Sequence, residues 1–120
     1  MEEICRIKDI YKALYAYEKQ FLKLTGITIN EGALLCCLKE NKPKSANELR
    51  DFIGLSNSRV SRIIQGMEEK GFISRAMGVS DKRQMFFSLT DAGKKKIKEM
   101  AKHEINADSL FAQMGTSTST

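Results

Sequence analysis

The amino-acid sequence predicts a mainly α-helical domain that carries one small β-hairpin. Three observations support this fold class. Apolar residues recur at three- and four-residue steps over most of the chain. Two amphipathic segments, 46–53 and 57–70, are joined by a short turn that contains Gly54, which is typical of a helix-turn-helix. Strand-like alternation begins after Gly71, and the helical spacing returns after Thr90.

The composition is that of one globular domain. The chain has 120 residues, of which 42% are hydrophobic and 29% are charged, so it can bury one core and is not disordered. Lysine and arginine outnumber aspartate and glutamate by 20 to 15, and the resulting net charge of +5 favours an anionic partner only weakly. No apolar run approaches the ~20 residues of a membrane span. The Met-Glu-Glu start is unlike a signal peptide, so we expect no membrane partner. The three cysteines cannot form a disulfide framework, which predicts a reducing, cytoplasmic setting.

The first predicted helix covers residues 3–24 and has one apolar side. Lys8 and Lys12 lie on the other side, and Gly26 offers a left-handed stop. A second helix, 29–40, follows a capping-box pattern at Thr28-Ile-Asn-Glu31. The apolar stripe of the first helix comprises Ile4, Ile7, Tyr11, Leu14, Phe21 and Leu24.

The helix-turn-helix begins at a second capping box, Ser45-Ala-Asn-Glu48. Its first helix has four apolar positions: Ala46, Leu49, Phe52 and Ile53. Ser56 is placed to cap the next helix, 57–70, and Gly71 ends it. The predicted inward face of that helix consists of Val60, Ile63, Ile64 and Met67.

The hairpin is predicted from two runs, 72–75 and 84–89, with a loop over 76–83 that contains glycine, serine and aspartate. Thr90 then caps a last helix, and Asp91 in its first turn suits the helix dipole. Polar residues near Asn106 predict a break in this helix, and the apolar residues of 110–114 are expected to form a separate short segment.

The outward face of the helix 57–70 has the side chains that read DNA. Arginine pairs with guanine in a major groove, Asn or Gln pairs with adenine, and small serines let the backbone approach closely. The alternative is a solvated helix face, which typically carries more Glu and Lys, whereas Glu68 and Glu69 here lie at the far end. The candidate DNA-binding residues are Ser56, Asn57, Ser58, Arg59, Ser61, Arg62 and Gln65.

The predicted hairpin tip carries Asp81-Lys82-Arg83. An Asp-x-Arg sequence alone is usually a surface ion pair. Directly after a candidate recognition helix, however, it would let Arg83 enter a minor groove, with Lys82 as a further DNA contact. We expect Asp81 to orient Arg75 or Arg83, because a carboxylate and a guanidinium form a directional pair.

Five runs of residues keep a specific order and spacing along the chain. They are Ser45-Ala-Asn-Glu-Leu, Leu55-Ser-Asn-Ser-Arg-Val-Ser-Arg-Ile-Ile, Met67-Glu-Glu-Lys-Gly-Phe-Ile, Asp81-Lys-Arg and Leu89-Thr-Asp-Ala-Gly93. Each run alone is common, but the ordered combination resembles the MarR family of bacterial regulators (multiple antibiotic resistance regulators). The resemblance covers about residues 5–105.

The resemblance implies a winged helix-turn-helix on a homodimer that binds double-stranded DNA. Two recognition helices would enter successive major grooves, so the operator would be pseudo-palindromic with half-sites about 10 bp apart. It also implies a single domain over 1–114, in which 1–28 and 94–114 are dimerisation helices and 29–93 form the DNA-binding core. Residues 115–120 are expected to be a flexible tail.

Members of this family repress or activate genes, and many release DNA when they bind a small phenolic ligand or when a cysteine is oxidised. We therefore expect a repressor with a small aromatic effector as a further partner. Cys5 is the redox candidate, because the ammonium groups of Lys8 and Lys12 favour a reactive thiolate, and the alternative is a half-buried residue without a role. The aromatic residues of the first helix would line a ligand cavity or belong to the core: Tyr11, Tyr15, Tyr17 and Phe21.

Other classes of function find less support. A winged-helix protein-interaction module that does not bind DNA is the alternative, but such modules usually lack the arginines that Arg59, Arg62 and Arg83 supply. No Ser/His/Asp grouping, phosphate loop or paired carboxylates indicate an enzyme, and no cofactor is expected. Three cysteines cannot form a disulfide framework. Cys36, Cys37 and His103 lack a recognised metal-ligand spacing, so we expect the two cysteines to pack and no metal site.

Overall fold

The computed structural model describes residues 1–78, 83–103 and 107–115. Within them the helices are α1 (Glu2–Thr25), α2 (Ile29–Cys37), α3 (Ala46–Ile53), α4 (Asn57–Glu69), α5 (Asp91–Lys102) and α6 (Asp108–Gln113), and the strands are β1 (Lys44–Ser45), β2 (Ile73–Met77) and β3 (Met85–Leu89). The chain divides into two compact units. One comprises Met1–Ile29 and the residues from His103 onward, and the other comprises Asn30–Lys102.

The first unit consists of α1 and α6, which contact each other. Gly26 ends α1 in a left-handed conformation with φ 78°, and its amide donates to the Leu22 carbonyl at 2.8 Å. The predicted first helix and its glycine stop are confirmed. The predicted separate segment near the C-terminus is confirmed as α6, although Asn106 lies outside the described residues. No described helix is both long enough and apolar enough to cross a membrane.

The second unit has a core of aliphatic side chains from α2, α3 and α4, completed by one residue from each hairpin strand. In α4, every third or fourth residue is buried because the helix turns once in 3.6 residues. The buried side chains of this unit are Leu34, Leu35, Leu38, Leu49, Val60, Ile64, Met67, Ile73 and Phe87.

The sheet is antiparallel, with the strand order β1-β3-β2. In the hairpin Arg75 pairs with Phe87, and Met77 pairs with Met85. The predicted hairpin is confirmed, but β2 reaches Met77 and therefore takes two residues from the predicted loop. Strand β1 was not predicted, since two residues are too short to show alternation, and Ser45 owes its strand geometry to pairing with the distant Phe86.

Two details of the sequence interpretation were wrong: the end of the second helix and the packing of Cys36. Helix α2 ends at Cys37, before a turn of i→i−3 hydrogen bonds that leads to Asn41 with φ 66°. Phe52 is 56% exposed, although it lies only about 60° around α3 from the buried Leu49. Cys36 is exposed, since the neighbouring leucines occupy the buried side of α2.

The Leu-Thr-x-x-Gly run forms a tight junction between the start of α5 and the turn that follows α4. The Thr90 amide donates to the Phe72 carbonyl at 3.1 Å, and the Thr90 hydroxyl donates to the Gly71 carbonyl at 2.6 Å. The amide of Gly93 in turn donates to the Thr90 hydroxyl at 3.1 Å. A Cβ atom on Gly93 would lie only 2.1 Å from the Phe72 carbonyl oxygen, so glycine is required there.

Candidate nucleic-acid interface

Helix α4 begins at a local cap that its sequence encodes. The Ser56 hydroxyl accepts a hydrogen bond from the Arg59 amide at 3.3 Å, as predicted. Val60 and Met67 are fully buried on the inner side of the helix. Because α4 is amphipathic, this burial fixes which of its side chains face away from the core.

The outward face of α4 presents the predicted DNA-binding residues to solvent. From Asn57 to Met67 the helix contains no carboxylate, and its acidic residues come only in the last turn. The Ser56 and Ser58 hydroxyl oxygens are 3.5 Å apart at the start of this face. The exposed residues are Ser56, Asn57, Ser58, Arg59, Ser61, Arg62 and Gln65.

Two ion pairs attach the C-terminal end of α4 to its neighbours. Lys70 Nζ lies 2.8 Å from Glu31 Oε2, which links the end of α4 to α2. Arg75 donates from Nε to Glu68 Oε2 at 2.7 Å and from a terminal nitrogen to Oε1 at 2.5 Å, which links α4 to β2. Hydrogen bonding to Glu68 and its negative charge raise the pKa of Arg75. The guanidinium also lies 5.6 Å from the centre of the Phe87 ring.

Arg75 has a partner that sequence reasoning did not consider. Asp81, the proposed partner, lies outside the described residues, as does Lys82. The structure pairs Arg75 with Glu68, which sequence reasoning treated only as a charge far from the DNA. A signal for this pairing was present: Gly71 reverses the chain directly after α4, which brings the last turn of the helix beside the start of β2.

Arg83 lies on a cleft between the hairpin and the start of α3. The cleft is lined by Ser45, Ala46, Asn47, Arg50, Arg83, Gln84 and Met85. The Gly78 amide donates to the Gln84 carbonyl at 2.8 Å, which extends the hairpin pairing toward the tip. Arg83 itself is exposed.

Arg50 is a candidate that sequence reasoning missed. It is half-buried on α3, and one of its terminal nitrogens donates to the Asn47 side-chain oxygen one turn earlier. It also lines a second, polar cleft that reaches Asn57 at the start of α4. The sequence did contain a signal for Arg50. It comes four residues after Ala46, and this spacing places it on the same side of α3 as the first residue of the helix.

The aromatic residues of α1 are more exposed than the core interpretation expected. Tyr11 and Tyr15 are 62% and 63% exposed, so that interpretation was wrong for these two. Tyr17 and Phe21 are half-buried, with their rings stacked and their centres 6.4 Å apart. The exposed tyrosines lie on an open groove of α1 whose other lining residues are Lys8, Lys12, Leu14 and Glu18.

The three cysteines are free thiols in different settings. Cys5 is exposed on α1, and Cys37 is half-buried on α2. Burial raises the pKa of the Cys37 thiol, which keeps it protonated and less nucleophilic at neutral pH. In the described part of the chain, no three His, Cys, Asp or Glu side chains form a group suited to a metal ion.

Comparisons with known proteins agree with this geometry. The model of the MarR family matches residues 27–85. The HTH-type transcriptional regulator Hpr of Lysinibacillus sphaericus is 32% identical over 105 residues, which cover 84% of this chain and 56% of that protein. This chain spans about half, or less, of the length of the curated HTH-type regulators that it matches.

Solved structures share the fold. A probable transcriptional regulator from Pseudomonas aeruginosa superposes with a TM-score of 0.75 and 25% identity, covering 85% of this chain and 80% of that one. The MepR–DNA complex of S. aureus superposes with a TM-score of 0.64 and 22% identity, covering 91% and 84% of the two chains. The fold is therefore that of a winged helix, with α4 in the position of the recognition helix and the β2–β3 hairpin as the wing.

Proposed function

This chain belongs to the MarR family, and from that premise we propose that it is a transcriptional regulator that binds double-stranded DNA as a homodimer. The observation that carries the proposal is the outward face of α4. It is exposed, it contains Arg59, Arg62 and Gln65, and no carboxylate interrupts it from Asn57 to Met67. A surface of this chemistry suits the polyanionic, hydrogen-bonding floor of a major groove.

In this proposal α4 reads base edges. Arg62 and Gln65 lie on the centre of the outward face and would reach guanine and adenine, respectively. Ser58 and Ser61 are short, so the helix backbone can approach the groove closely. Glu69 lies at the far end of the same face, where the helix would leave the groove.

The hairpin would contact the neighbouring minor groove through Arg83, because a narrow minor groove concentrates negative potential that attracts guanidinium groups. Its base is attached to α4 by the ion pair of Glu68 and Arg75. Lys82 as a further DNA contact, and Asp81 as the residue that orients Arg75 or Arg83, remain predictions from the sequence.

The first unit would supply the dimer interface. Ile4, Ile7 and Tyr11 follow one another along α1 with 64%, 51% and 62% of their surfaces exposed. A continuous apolar patch of this kind on a soluble protein marks an interaction site, and the same stripe on a second copy is the matching surface of a two-fold interface. A two-fold dimer would bind a pseudo-palindromic operator with half-sites about 10 bp apart.

Regulation is the remaining part of the proposal. We propose repression in the cytoplasm, with release by a small aromatic effector or by oxidation of Cys5. The exposed ring of Tyr15 beside Lys8 and Lys12 supports an aromatic ligand with an acidic group. The solvent exposure of Cys5 supports access by peroxide. Equal DNA release by peroxide-treated wild type and Cys5→Ser would remove Cys5 from the mechanism.

The test is a titration of the DNA upstream of the protein's own gene, followed by fluorescence anisotropy. Arg62→Ala is expected to weaken binding by ~1–3 kcal/mol, because it removes a base contact. Arg6→Ala is the matched control, since Arg6 is an exposed arginine on α1 and its loss removes the same charge from the first unit. Unchanged affinity in both Arg62→Ala and Arg83→Ala would contradict the proposed docking.

A further inference from the structure

One side of α1 carries a heptad pattern of exposed side chains. Six residues recur at alternating steps of four and three, which is the spacing of the a and d positions in a coiled coil. All six are exposed, and they form a strip about 27 Å long on this helix. Together they form the α1 seam: Ile4, Lys8, Tyr11, Tyr15, Glu18 and Leu22.

We propose that the α1 seam pairs with the same seam of a second copy as an antiparallel coiled coil, whose direction and register are fixed by Lys8 and Glu18 of the second copy. This inference rests on the proposed homodimer and deepens it, because it states which residues meet. A surface that pairs with itself across a two-fold axis places residue i against residue j and residue j against residue i.

The apolar and aromatic members of the seam match in one antiparallel register. With the two-fold axis level with Ala13, Ile4 lies opposite Leu22 of the second copy. In the same register Tyr11 lies opposite Tyr15, and all four side chains are exposed in the single chain. Each of these layers joins an a position to a d position, as in antiparallel coiled coils. The exposed apolar surface of α1 therefore has a complementary surface in its own second copy.

The two remaining seam residues have opposite charges and no opposite charge beside them on their own helix. Lys8 has no carboxylate three or four residues away, and Glu18 has no cation at those positions. Among the described residues neither side chain forms an ion pair. The register that matches the apolar residues places Lys8 opposite Glu18 of the second copy, so charge and apolar patterns agree on one alignment.

A parallel pair of seams is disfavoured by the same two residues. Parallel two-fold pairing would put Lys8 opposite Lys8 and Glu18 opposite Glu18, and like charges in an interface suppress that arrangement. A charged pair within an apolar seam costs stability and in return selects one register. Lys8 and Tyr15 also line the groove proposed above for an aromatic effector. A ligand there would therefore compete with the second copy.

The test is charge reversal at the seam, with sedimentation equilibrium as the measurement. Lys8→Glu and Glu18→Lys should each weaken self-association at least about tenfold, because each change places like charges opposite each other twice in the dimer. The double variant Lys8→Glu/Glu18→Lys should restore most of the association. Arg6→Glu is the matched control, since Arg6 is exposed and lies roughly 200° around the helix from Ile4.

The two single reversals change the net charge in opposite directions, which separates the proposed pairing from a general charge effect. If the net charge of this cationic chain alone governed association, Lys8→Glu would strengthen it and Glu18→Lys would weaken it. The seam predicts that both weaken it. Stronger association of Lys8→Glu would overturn the ion pair, and so would a double variant that stays as weak as the single ones.

Disulfide cross-linking tests the direction of the pair without relying on its stability. The three native cysteines are first replaced by serine, and tagged chains with Ile4→Cys are then mixed with untagged chains with Leu22→Cys and oxidised. The antiparallel seam predicts a disulfide between the two kinds of chain. Efficient cross-linking of Ile4→Cys to itself would show a parallel pair and overturn the proposed direction.

The outcomes distinguish this seam from the proposed function. A wild-type dimer whose association is unchanged by both single reversals would overturn the seam and leave a DNA-binding homodimer standing. A wild-type chain that neither self-associates nor binds DNA would instead overturn the proposed function, and the seam with it.

Discussion

The carboxylate of Glu68 binds the guanidinium of Arg75 through both of its oxygens, and this ion pair joins the last turn of α4 to β2. Arg75 also lies 5.6 Å from the centre of the Phe87 ring on the paired strand. A guanidinium fixed by a bidentate carboxylate and a ring face has few alternative orientations. The position of the hairpin relative to the recognition helix is therefore determined by side chains as well as by the turn at Gly71.

The first prediction concerns this ion pair. Glu68→Gln should change the free energy of unfolding only slightly, because the Arg75 side chain is half exposed and such pairs contribute little to stability. Glu68→Gln should nevertheless weaken DNA binding, because the hairpin that carries Arg83 would no longer be attached to α4 by this ion pair. A double-mutant cycle with Arg83→Ala should show coupling, since a loosened hairpin leaves less for Arg83 to lose. Glu69→Gln, the adjacent exposed carboxylate, is the control, and strictly additive effects would refute the coupling.

The second prediction concerns the junction at Gly93. Gly93→Ala should destabilise the fold by about 1–3 kcal/mol or more, because the new methyl group would overlap the Phe72 carbonyl oxygen and backbone cannot move aside cheaply. Urea unfolding measures the effect. Gly66→Ala in α4 is the control: a Cβ there meets nothing within 4 Å, and alanine is favoured over glycine in a helix by up to about 1 kcal/mol. Equal stabilities for the two variants would contradict the reported packing.

The third prediction concerns pH. The Ser45 amide, by donating to the carboxylate of Glu48, holds the pKa of Glu48 below the usual glutamate value of about 4.3. A carboxyl group whose pKa falls on folding stabilises the folded state above its unfolded pKa, and this contribution disappears as pH falls through the folded pKa. Glu48→Gln keeps a capping group but does not titrate. Thermal unfolding should therefore show wild type more stable than Glu48→Gln at pH 7, with the difference shrinking below about pH 4.3. A difference that is constant from pH 7 to pH 3 would exclude this role.

The fourth prediction concerns the apolar stripe of α1. Ile7→Asp should weaken self-association at least about tenfold, since burying an isoleucine side chain contributes ~1.5–3 kcal/mol and aspartate cannot replace it. Sedimentation equilibrium gives the dissociation constant. Arg6→Asp is the control. Arg6 is the exposed residue before Ile7, and the 100° step between neighbouring residues places it away from the apolar stripe, so this change should have little effect on self-association. A wild-type protein that stays monomeric at high concentration would contradict the proposed interface.

Structural features that depend only on residues close together in the chain could be predicted from the sequence. The capping box of Ser45 and Glu48, the cap at Ser56 and the left-handed stop at Gly26 each involve groups within four residues of one another. The outward face of α4 was also predictable, because the burial of Val60, Ile64 and Met67 follows the helical period. The sequence alone therefore predicts which face of α4 carries the candidate base-contacting residues.

Features that depend on distant pairing could not be predicted in this way. Strand β1 exists because Ser45 pairs with Phe86, which is far along the chain. The exposure of Phe52 depends on where α3 lies against the core, since its apolar character alone suggested burial. The cleft around Arg50 combines α3 with the hairpin, and no local pattern in the sequence relates those two elements.

The junction of Thr90 and Gly93 with the turn at 71–72 has a mechanical consequence. The Thr90 hydroxyl donates a hydrogen bond to the Gly71 carbonyl, and Gly93, which has no Cβ, packs against the Phe72 carbonyl. With contact this close, α5 has no room to slide against the turn without breaking those hydrogen bonds. A rotation of α5 would therefore also rotate the turn that leads into β2, so that α5 and the start of the hairpin would move together.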